Sequence, residues 1–492
     1  MSLVHRVLHP VPVTSFDQYL RIRGGEGLRA ARRRDADAII DEVAESGLRG
    51  RGGAGFPTGR KWRTVRANRS HLVPASVVVN AAEGEPGTFK DRTILRNNPY
   101  QVLEGALIAA RAIGADQVIV ATKHAFTTEI ARVRGAIAEL DSAGWCDGVT
   151  IDVFEGPREY LYGEETALLE TLDGRYPFPR IAPPYRRGVR ELVTARAALT
   201  SASGLSARVA MAGPAAELAA PPTLVDNVET LANVPRIVAR GAAWYRTLGT
   251  EASPGTIVCT ITGATRRAAV GEVSFGTPLR EIIDLVGGGV RPGRRVAFVL
   301  PGVANGAILP SGLDTPVTYE DLARRGSGVG SAGFMVFDDT ADPVAVAAGV
   351  SRFLAVESCG QCTPCKFGGL RVATLLAQLA RSAASASDHG VLRTVLGSVD
   401  DGARCSLASQ QRTAVGSLLD AYPDTVRAHL SGAAPAREPE PIAELVDIVD
   451  GRATIDSSQI SKQPDWTFSE QWSGKTPAAR LGEHRTGGGS DL

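Results

Sequence analysis

No uninterrupted run of 18 apolar residues occurs in this 492-residue chain, so no transmembrane helix is expected. Met1 to Val13 holds no apolar core of the length a secretory signal needs. Cysteine is scarce: six residues cannot build a disulfide framework in a chain of this size, and a reducing, cytoplasmic setting is expected. The formal net charge is only +1, which gives no support for non-specific nucleic-acid binding. Neither a Gly-x-Ser-x-Gly elbow nor a His-Glu-x-x-His pair is present, so hydrolysis by those routes is unsupported. No internal repeat is evident. What remains is an ordinary globular composition, 43% apolar and 22% charged, with a length that suggests two to four domains.

Against that scarcity, three of the six cysteines fall within seven positions: Cys359, Cys362 and Cys365, in Glu-Ser-Cys-Gly-Gln-Cys-Thr-Pro-Cys-Lys. Two-residue gaps let one short turn aim three thiolates at a common point, and Cys405 can close the shell. That layout is the one expected of a cubane iron–sulfur site. Structural zinc is the alternative, although it more often uses two separated pairs. Ordinary buried cysteines would be scattered as small hydrophobes.

The rest of the chain divides by pattern. Asp35–Ser46 reads as an amphipathic helix ending at Gly47. Strands are expected at Ser76–Asn80, Gln117–Ala121 and Val149–Phe154, with a helix at Gln101–Ile113, which argues for a parallel sheet with crossover helices. A smaller α+β module follows, with strands at Thr256–Gly263 and Arg295–Leu300 and a helix at Pro278–Val286. Gly326–Gly333 reads as a linker or a functional loop. Helices are expected at Pro343–Leu354, Leu370–Ala384, His389–Asp400 and Arg412–Tyr422, with the cysteines in their connections. Ala433–Pro441 reads as a linker and Ile442–Ile455 as a strand or hairpin. Gln463–Trp472 carries two tryptophans, costly to expose in a mobile tail, so the tail is expected to wrap a partner. Thr486–Leu492 has a disordered composition. The expected division is 1–34 N-terminal extension, 35–250 α/β domain, 251–335 α+β module, 336–432 helical region and 433–492 tail.

Three loops carry candidate chemistry. Six glycines lie between Gly47 and Gly59, flanked by Arg49, Arg51, Arg60 and Lys61, with Phe56 among them. Glycines let backbone amides approach an anion closely, and a flat ring beside them suits stacking on a base. Asn80-Ala81-Ala82-Glu83-Gly84-Glu85 directly follows a buried strand, where ligands of parallel sheets bind. Gly163-Glu164-Glu165 opens a helix; acids there are also routine dipole partners.

Taken in this order, GLRGRGGAGFPTGRKW, EGEPGTFKDR, GEETALLETL, DNVETLANV and ESCGQCTPC resemble the flavoprotein subunit of respiratory complex I and the diaphorase subunits of NAD-linked hydrogenases and formate dehydrogenases. The resemblance spans about Ile39 to Leu430. It implies a Rossmann-like FMN domain, a ubiquitin-like (SLBB) module and a four-helix bundle with one [4Fe-4S] cluster on Cys359, Cys362, Cys365 and Cys405. It implies FMN contacts from Arg51, Gly52, Gly53, Gly55, Lys61, Asn80, Glu83, Gly163, Glu164 and Asn227. NADH would stack on Phe56, with Glu85 and Glu165 holding its ribose and carboxamide and Tyr185 as a second aromatic platform. The implied activity is NADH oxidation: hydride to FMN, then single electrons to the cluster and onward to iron–sulfur partner subunits. Such a protein would be peripheral on a membrane complex through its partners. A diaphorase, or a scaffold that has lost its flavin, are the alternatives. This chain departs from the family pattern at Ala82, where Asp is common, at Ala182, where Lys is common, at Tyr162 for Cys, and at Asp226 for the first Asn of a pair. Flavin is expected to be retained with altered affinity or potential.

Overall fold

The computed structural model describes residues 2–69, 75–185, 188–189, 221–464 and 466. The tail readings at Thr486–Leu492 and Trp472 lie outside them. Strand β1 (Ala75–Ala81) is flanked by β2 (Ala115–Lys123) on one side and β4 (Thr223–Asn227) on the other, with β3 (Thr150–Gly156) beyond β2. All three pairings are parallel. Val77, Val78 and Val79 are each 0% exposed, because helices cover both faces, as a parallel sheet requires. The helix Pro99–Ile113 shows why its sequence folds as it does. The Asn98 side chain accepts from the Gln101 amide, proline occupies the first turn, and Gly114 ends the helix at φ 72°. Each expected strand and helix here lies within about two residues of the observed one. β4 was not anticipated: its five residues run straight into the helix Val228–Arg240 and carry no alternation.

From β1 the chain steps outward to β2 and β3, then returns to β4 on β1's other side. The order therefore switches between β1 and β4, whose carboxyl ends are Asn80 and Asn227. A crevice at such a point is the usual ligand position in open α/β sheets.

A second four-stranded sheet has the order β6 (Ala269–Ser274), β5 (Thr256–Gly263), β8 (Gly333–Asp338), β7 (Val296–Pro301). β5 pairs antiparallel with β6 and parallel with β8, and β7 pairs antiparallel with β8. β8 crosses the expected boundary at residue 335. The glycine-rich stretch before it is the lead-in to an inner strand, not a linker. The first 34 residues also belong to the core. Val4 pairs with Glu272 of β6, and the amides of Arg6, Val7 and Leu8 all donate to the Glu272 carboxylate. Tyr19 donates to Glu104 at 2.5 Å.

Helices Pro343–Val356, Gly369–Ala380, Ala386–Ser398, Leu407–Ala421 and Pro423–Leu430 form the third region. The tail then returns across the molecule. Its hairpin, β9 (Leu445–Val449) and β10 (Arg452–Ile455), is pinned by Arg96 on Asp447, Lys123 on Glu444 and Ala268 on the Gly451 carbonyl. No helix among the described residues is long and apolar enough to cross a membrane.

One carboxylate joins these regions. Glu229, fully buried at the start of the helix Val228–Arg240, pairs with Lys90 at 2.9 Å and Arg51 at 3.7 Å and accepts the amide of Val258 on β5 at 2.9 Å. Removing one member of such a network strands the others without a countercharge. Glu229→Ala is expected to lower unfolding free energy by about 3–5 kcal/mol in denaturant melts at pH 7. Asp41→Ala, which breaks the exposed pair with Arg63, is expected to cost less than about 1 kcal/mol. Equal effects would mean that the Glu229 network does not hold the sheets together.

Candidate functional site

The glycine loop is closed at its base by hydrogen bonds from Gly50 to the Phe56 carbonyl and from Thr58 to the Leu48 carbonyl. Gly53 (φ 130°) and Gly55 (φ 61°) take left-handed conformations that side chains disfavour. A Cβ on Gly52 would touch Cβ of Asn227 at 3.4 Å, and one on Gly53 would meet nothing within 4 Å, so backbone and open space face the crevice. The helix Thr58–Ala67 starts at the end of the loop with no side-chain cap. Phe56 is 46% exposed, and Arg60 lies over its ring.

Loop, strand ends and helical region enclose one cavity of about 580 Å³. Its wall includes Gly52, Gly53, Gly55, Phe56, Lys61, Asn80, Glu83, Glu85, Gly163, Glu164, Glu165 and Asn227. Two expected members are not there. The Arg51 side chain turns into the protein, donating to Tyr245 at 2.9 Å and to the Thr256 carbonyl at 3.2 Å. Tyr185 packs on the core of the first sheet. The Arg51 side chain is thus claimed by interior partners.

The polar groups of the wall are held rigidly. Asn80 Nδ2 donates to the Gly163 carbonyl at 2.9 Å. Glu83 accepts from the Asp91 amide at 3.0 Å and from Arg92 Nε at 3.2 Å. Asn227 donates to Asp91 at 2.7 Å and accepts from Lys90 at 3.2 Å. Glu164 caps its helix by accepting from the Thr166 and Ala167 amides, and burial pushes its carboxyl above the ordinary range. Glu85 accepts from the Tyr160 hydroxyl at 2.5 Å and the Val303 amide at 2.7 Å. Burial raises its carboxyl, and those bonds only partly offset the shift.

Lys61 is the one lysine or arginine whose side chain forms part of this wall among the described residues. Burial alone would depress its ammonium, but Glu165 at 2.7 Å and Asp226 at 3.9 Å hold it above its usual value. Asp226 accepts from Trp62 Nε1 at 2.7 Å, and burial pushes its carboxyl up to about 6. Asp226, Tyr160, Gln410 and Ser331 also line the wall and were not among the expected site residues. Tyr160 stands just before Gly163-Glu164-Glu165 and could have been noticed by position. Ser331 lies in the Gly326–Gly333 stretch whose composition suggests a functional loop, whereas Gln410 arrives from the distant helix Leu407–Ala421 and no local pattern marks it.

The four cysteines lie where the sequence placed them, in the turns before the helices Gly369–Ala380 and Leu407–Ala421. Cys365 is buried, the other three half-buried, and all are free. Burial raises the Cys365 thiol, with Cys359 and Cys362 adding to the effect, and it pushes the Cys405 thiol up to about 12, with Cys359 and Cys365 contributing. Gln361 donates to Cys359 Sγ at 3.4 Å, and Ser358 Oγ lies 3.3 Å from Cys365 Sγ. Among the described residues, no three His, Cys, Asp or Glu side chains close around a single metal ion. Cys405 also lines the 580 Å³ cavity, so the cysteine site and the glycine loop share one wall.

Comparison with known proteins agrees with this geometry. Residues 43–236 match the Nuo51 FMN-binding domain, and residues 345–429 match the NADH-ubiquinone oxidoreductase-F iron-sulfur binding region. The second F subunit of the NADH-quinone oxidoreductase of Rhizobium meliloti is 39% identical over 70% of this chain and 78% of its own length. The F subunit of the Streptomyces coelicolor NADH-quinone oxidoreductase is 34% identical over 85% of this chain and 88% of its own. In structure the chain is similar to an NAD+-reducing [NiFe]-hydrogenase in the H2-reduced state, with a TM-score of 0.72 at 31% identity, covering 85% of this chain and 67% of that one. With both domain matches in order around a shared cavity, the chain belongs to the family of NADH-quinone oxidoreductase F subunits.

Proposed function

We propose that the chain is the NADH-oxidising flavoprotein of a hetero-oligomeric electron-transfer complex, built on FMN and one [4Fe-4S] cluster. The observation that carries the reading is the single cavity in which the glycine loop, the ends of β1 and β4, and Cys405 meet. In the finer reading, the second sheet is a ubiquitin-like (SLBB) module and the helices from Pro343 to Ala421 are a four-helix bundle around the cluster.

The residues fit these groups. Open backbone at Gly52 and Gly53 leaves room for a phosphate on main-chain amides. Three free thiols at two-residue gaps with a remote fourth fit a cubane, in which each thiolate takes its own iron, better than zinc, which more often uses two separated pairs. Bound FMN supplies the chemistry, accepting hydride from NADH and returning electrons singly to the cluster.

The protein's share is to bind and orient. Asn80, Glu83, Gly163, Glu164 and Asn227 present fixed acceptors and donors to the flavin. Lys61 lends positive charge on the side of Glu165 and Asp226. Phe56 is the exposed ring on which NADH stacks, while Glu85 and Glu165 accept from its hydroxyls or carboxamide. The wall carries more carboxylates than cations, so like-charge repulsion disfavours a 2′-phosphate and favours NADH over NADPH. Cys359, Cys362, Cys365 and Cys405 would hold the cluster, which would supply single-electron transfer toward partner iron–sulfur subunits, and the complex meets a membrane only through those partners.

The likeness to the NAD+-reducing hydrogenase supports a second reading, the diaphorase half of such an enzyme. Identifying the proteins that copurify with the chain separates the two.

Cys405→Ser is expected to abolish the reduced-cluster EPR signal while keeping NADH-to-ferricyanide activity within about threefold, because the dye draws electrons at the flavin. Lost dye reduction with flavin still bound would contradict that electron order. Glu85→Ala is expected to raise KM for NADH about tenfold, the worth of one charge-assisted hydrogen bond, with a smaller effect on kcat. A fall confined to kcat would place Glu85 in the hydride step instead.

Asp226 gives a pH signature. Its folded carboxyl titrates near 6, above an unfolded value of about 3.9, so its contribution is fully present below about pH 4 and is lost as pH rises through 6. In the flavin-free protein, the stability of wild type relative to Asp226→Asn is expected to decline by about 3 kcal/mol across that window. A pH-independent difference would contradict the burial account.

A further inference from the structure

Downstream of the β9–β10 hairpin, the tail crosses the helical region and supplies one largely buried cation. Arg352 donates to the carbonyls of Ile460 at 2.6 Å and Lys462 at 3.0 Å, which fastens this strap to the helix Pro343–Val356. Lys462 Nζ then pairs with Glu357 Oε1 at 2.5 Å, with the side chains 17% and 4% exposed. Gln459 Nε2 donates to the same oxygen at 3.1 Å. Burial alone would depress the Lys462 ammonium, but Glu357, and beyond it Glu159 and Glu444, hold it above its usual value. Removing one member of such a pair strands the other.

The second oxygen of Glu357 serves the cavity wall. Oε2 accepts the backbone amide of Tyr160 at 3.1 Å. The Tyr160 ring meets Phe353, one helical turn before Glu357, edge-on at 5.3 Å. Its hydroxyl donates to Glu85 Oε2 at 2.5 Å, and the Val303 amide donates to Glu85 Oε1 at 2.7 Å. Tyr160 and Glu85 both line the 580 Å³ cavity, whereas Lys462 and Glu357 do not. A continuous series of polar contacts thus runs from Lys462 through Glu357 and Tyr160 to Glu85. It begins in the tail and ends at the carboxylate read above as an acceptor for NADH.

We propose that Lys462 is a positioning residue for NADH: it keeps the Glu357 carboxylate in place and, through the Tyr160 amide and hydroxyl, aims Glu85 at the dinucleotide. The inference rests on the reading of Glu85 as an NADH contact. Without the ammonium, a buried Glu357 is left with neutral donors only, and it turns toward water. The Tyr160 amide then loses its acceptor, and the hydroxyl that orients Glu85 moves with the backbone. This route touches none of the reacting atoms, so it governs how well NADH binds and not how fast hydride moves.

The test is steady-state kinetics with NADH and ferricyanide on the purified holoprotein and its Lys462→Met variant, at matched flavin and iron content. The variant is expected to raise KM for NADH about fivefold and to leave kcat within about twofold, because the Tyr160 bond to Glu85 is loosened and not removed. Lys462→Arg, which keeps the charge, is expected to restore KM. In the Glu85→Ala background, Lys462→Met is expected to raise KM no further, since the group it positions is gone. An unchanged KM in Lys462→Met, with or without a loss of stability, overturns the proposal. So does a KM effect that adds in full to that of Glu85→Ala. Should Lys462→Met fail to hold flavin or cluster, Gln459→Ala decides, because it removes only a neutral donor from the same carboxylate. A KM rise that vanishes in the Glu85→Ala background then supports the proposal, and an unchanged KM overturns it. A Glu85→Ala protein with the wild-type KM would overturn the underlying reading of Glu85 instead.

Discussion

The arrangement depends on a charge that cannot reach water. Glu229 is fully buried, and its carboxylate is tolerated only because Lys90, Arg51 and the Val258 amide converge on it. Each partner belongs to a different part of the chain: the helix after the acidic loop that follows β1, the glycine loop, and the first strand of the second sheet. Satisfying one carboxylate therefore fixes three elements relative to one another. Lys90 extends the constraint to Asn227 and Asp91, which sit at the mouth of the switch between β1 and β4. The position of the proposed flavin site is thus a consequence of where a buried ion pair can be completed.

The same economy explains the character of the cavity. Lys61, on its wall, and Lys90 and Arg92, behind it, are spent on neutralising neighbours: Lys90 on Asp91 and Glu229, Arg92 on Glu83, Lys61 on Glu165 and Asp226. What faces the ligand is a set of acceptors whose orientations are fixed by capping, backbone bonds and Tyr160. Such a wall suits hydroxyls, carboxamides and ring N–H groups, and leaves phosphate to the glycine loop. Because Cys405 forms part of that wall, the cysteine turns and the glycine loop face the same space.

Much of this was legible in the sequence. The cysteine spacing, the glycine loop and the acids after β1 are local signals, since each places its residues within a few positions of one another, and twelve of the fourteen expected cofactor contacts do line the cavity. The Arg51 side chain lies off the cavity wall because burial is not local: Tyr245 and Thr256, about two hundred residues away, decide where it points. β4 was missed for its shortness, and β8 was obscured by the glycines that lead into it. The composition of the tail suggests a reach for a partner, yet its hairpin is held by Arg96 and Lys123 of the same chain. No periodicity could have announced that, because the contact spans more than three hundred residues.

The central claim is that NADH, flavin and cluster communicate within one cavity. It is tested most directly by anaerobic visible and EPR spectra of the purified protein before and after NADH is added. The account predicts bleaching of the flavin band together with a new reduced-cluster signal. A cluster signal obtained only with dithionite, in a protein with no flavin band, would contradict it.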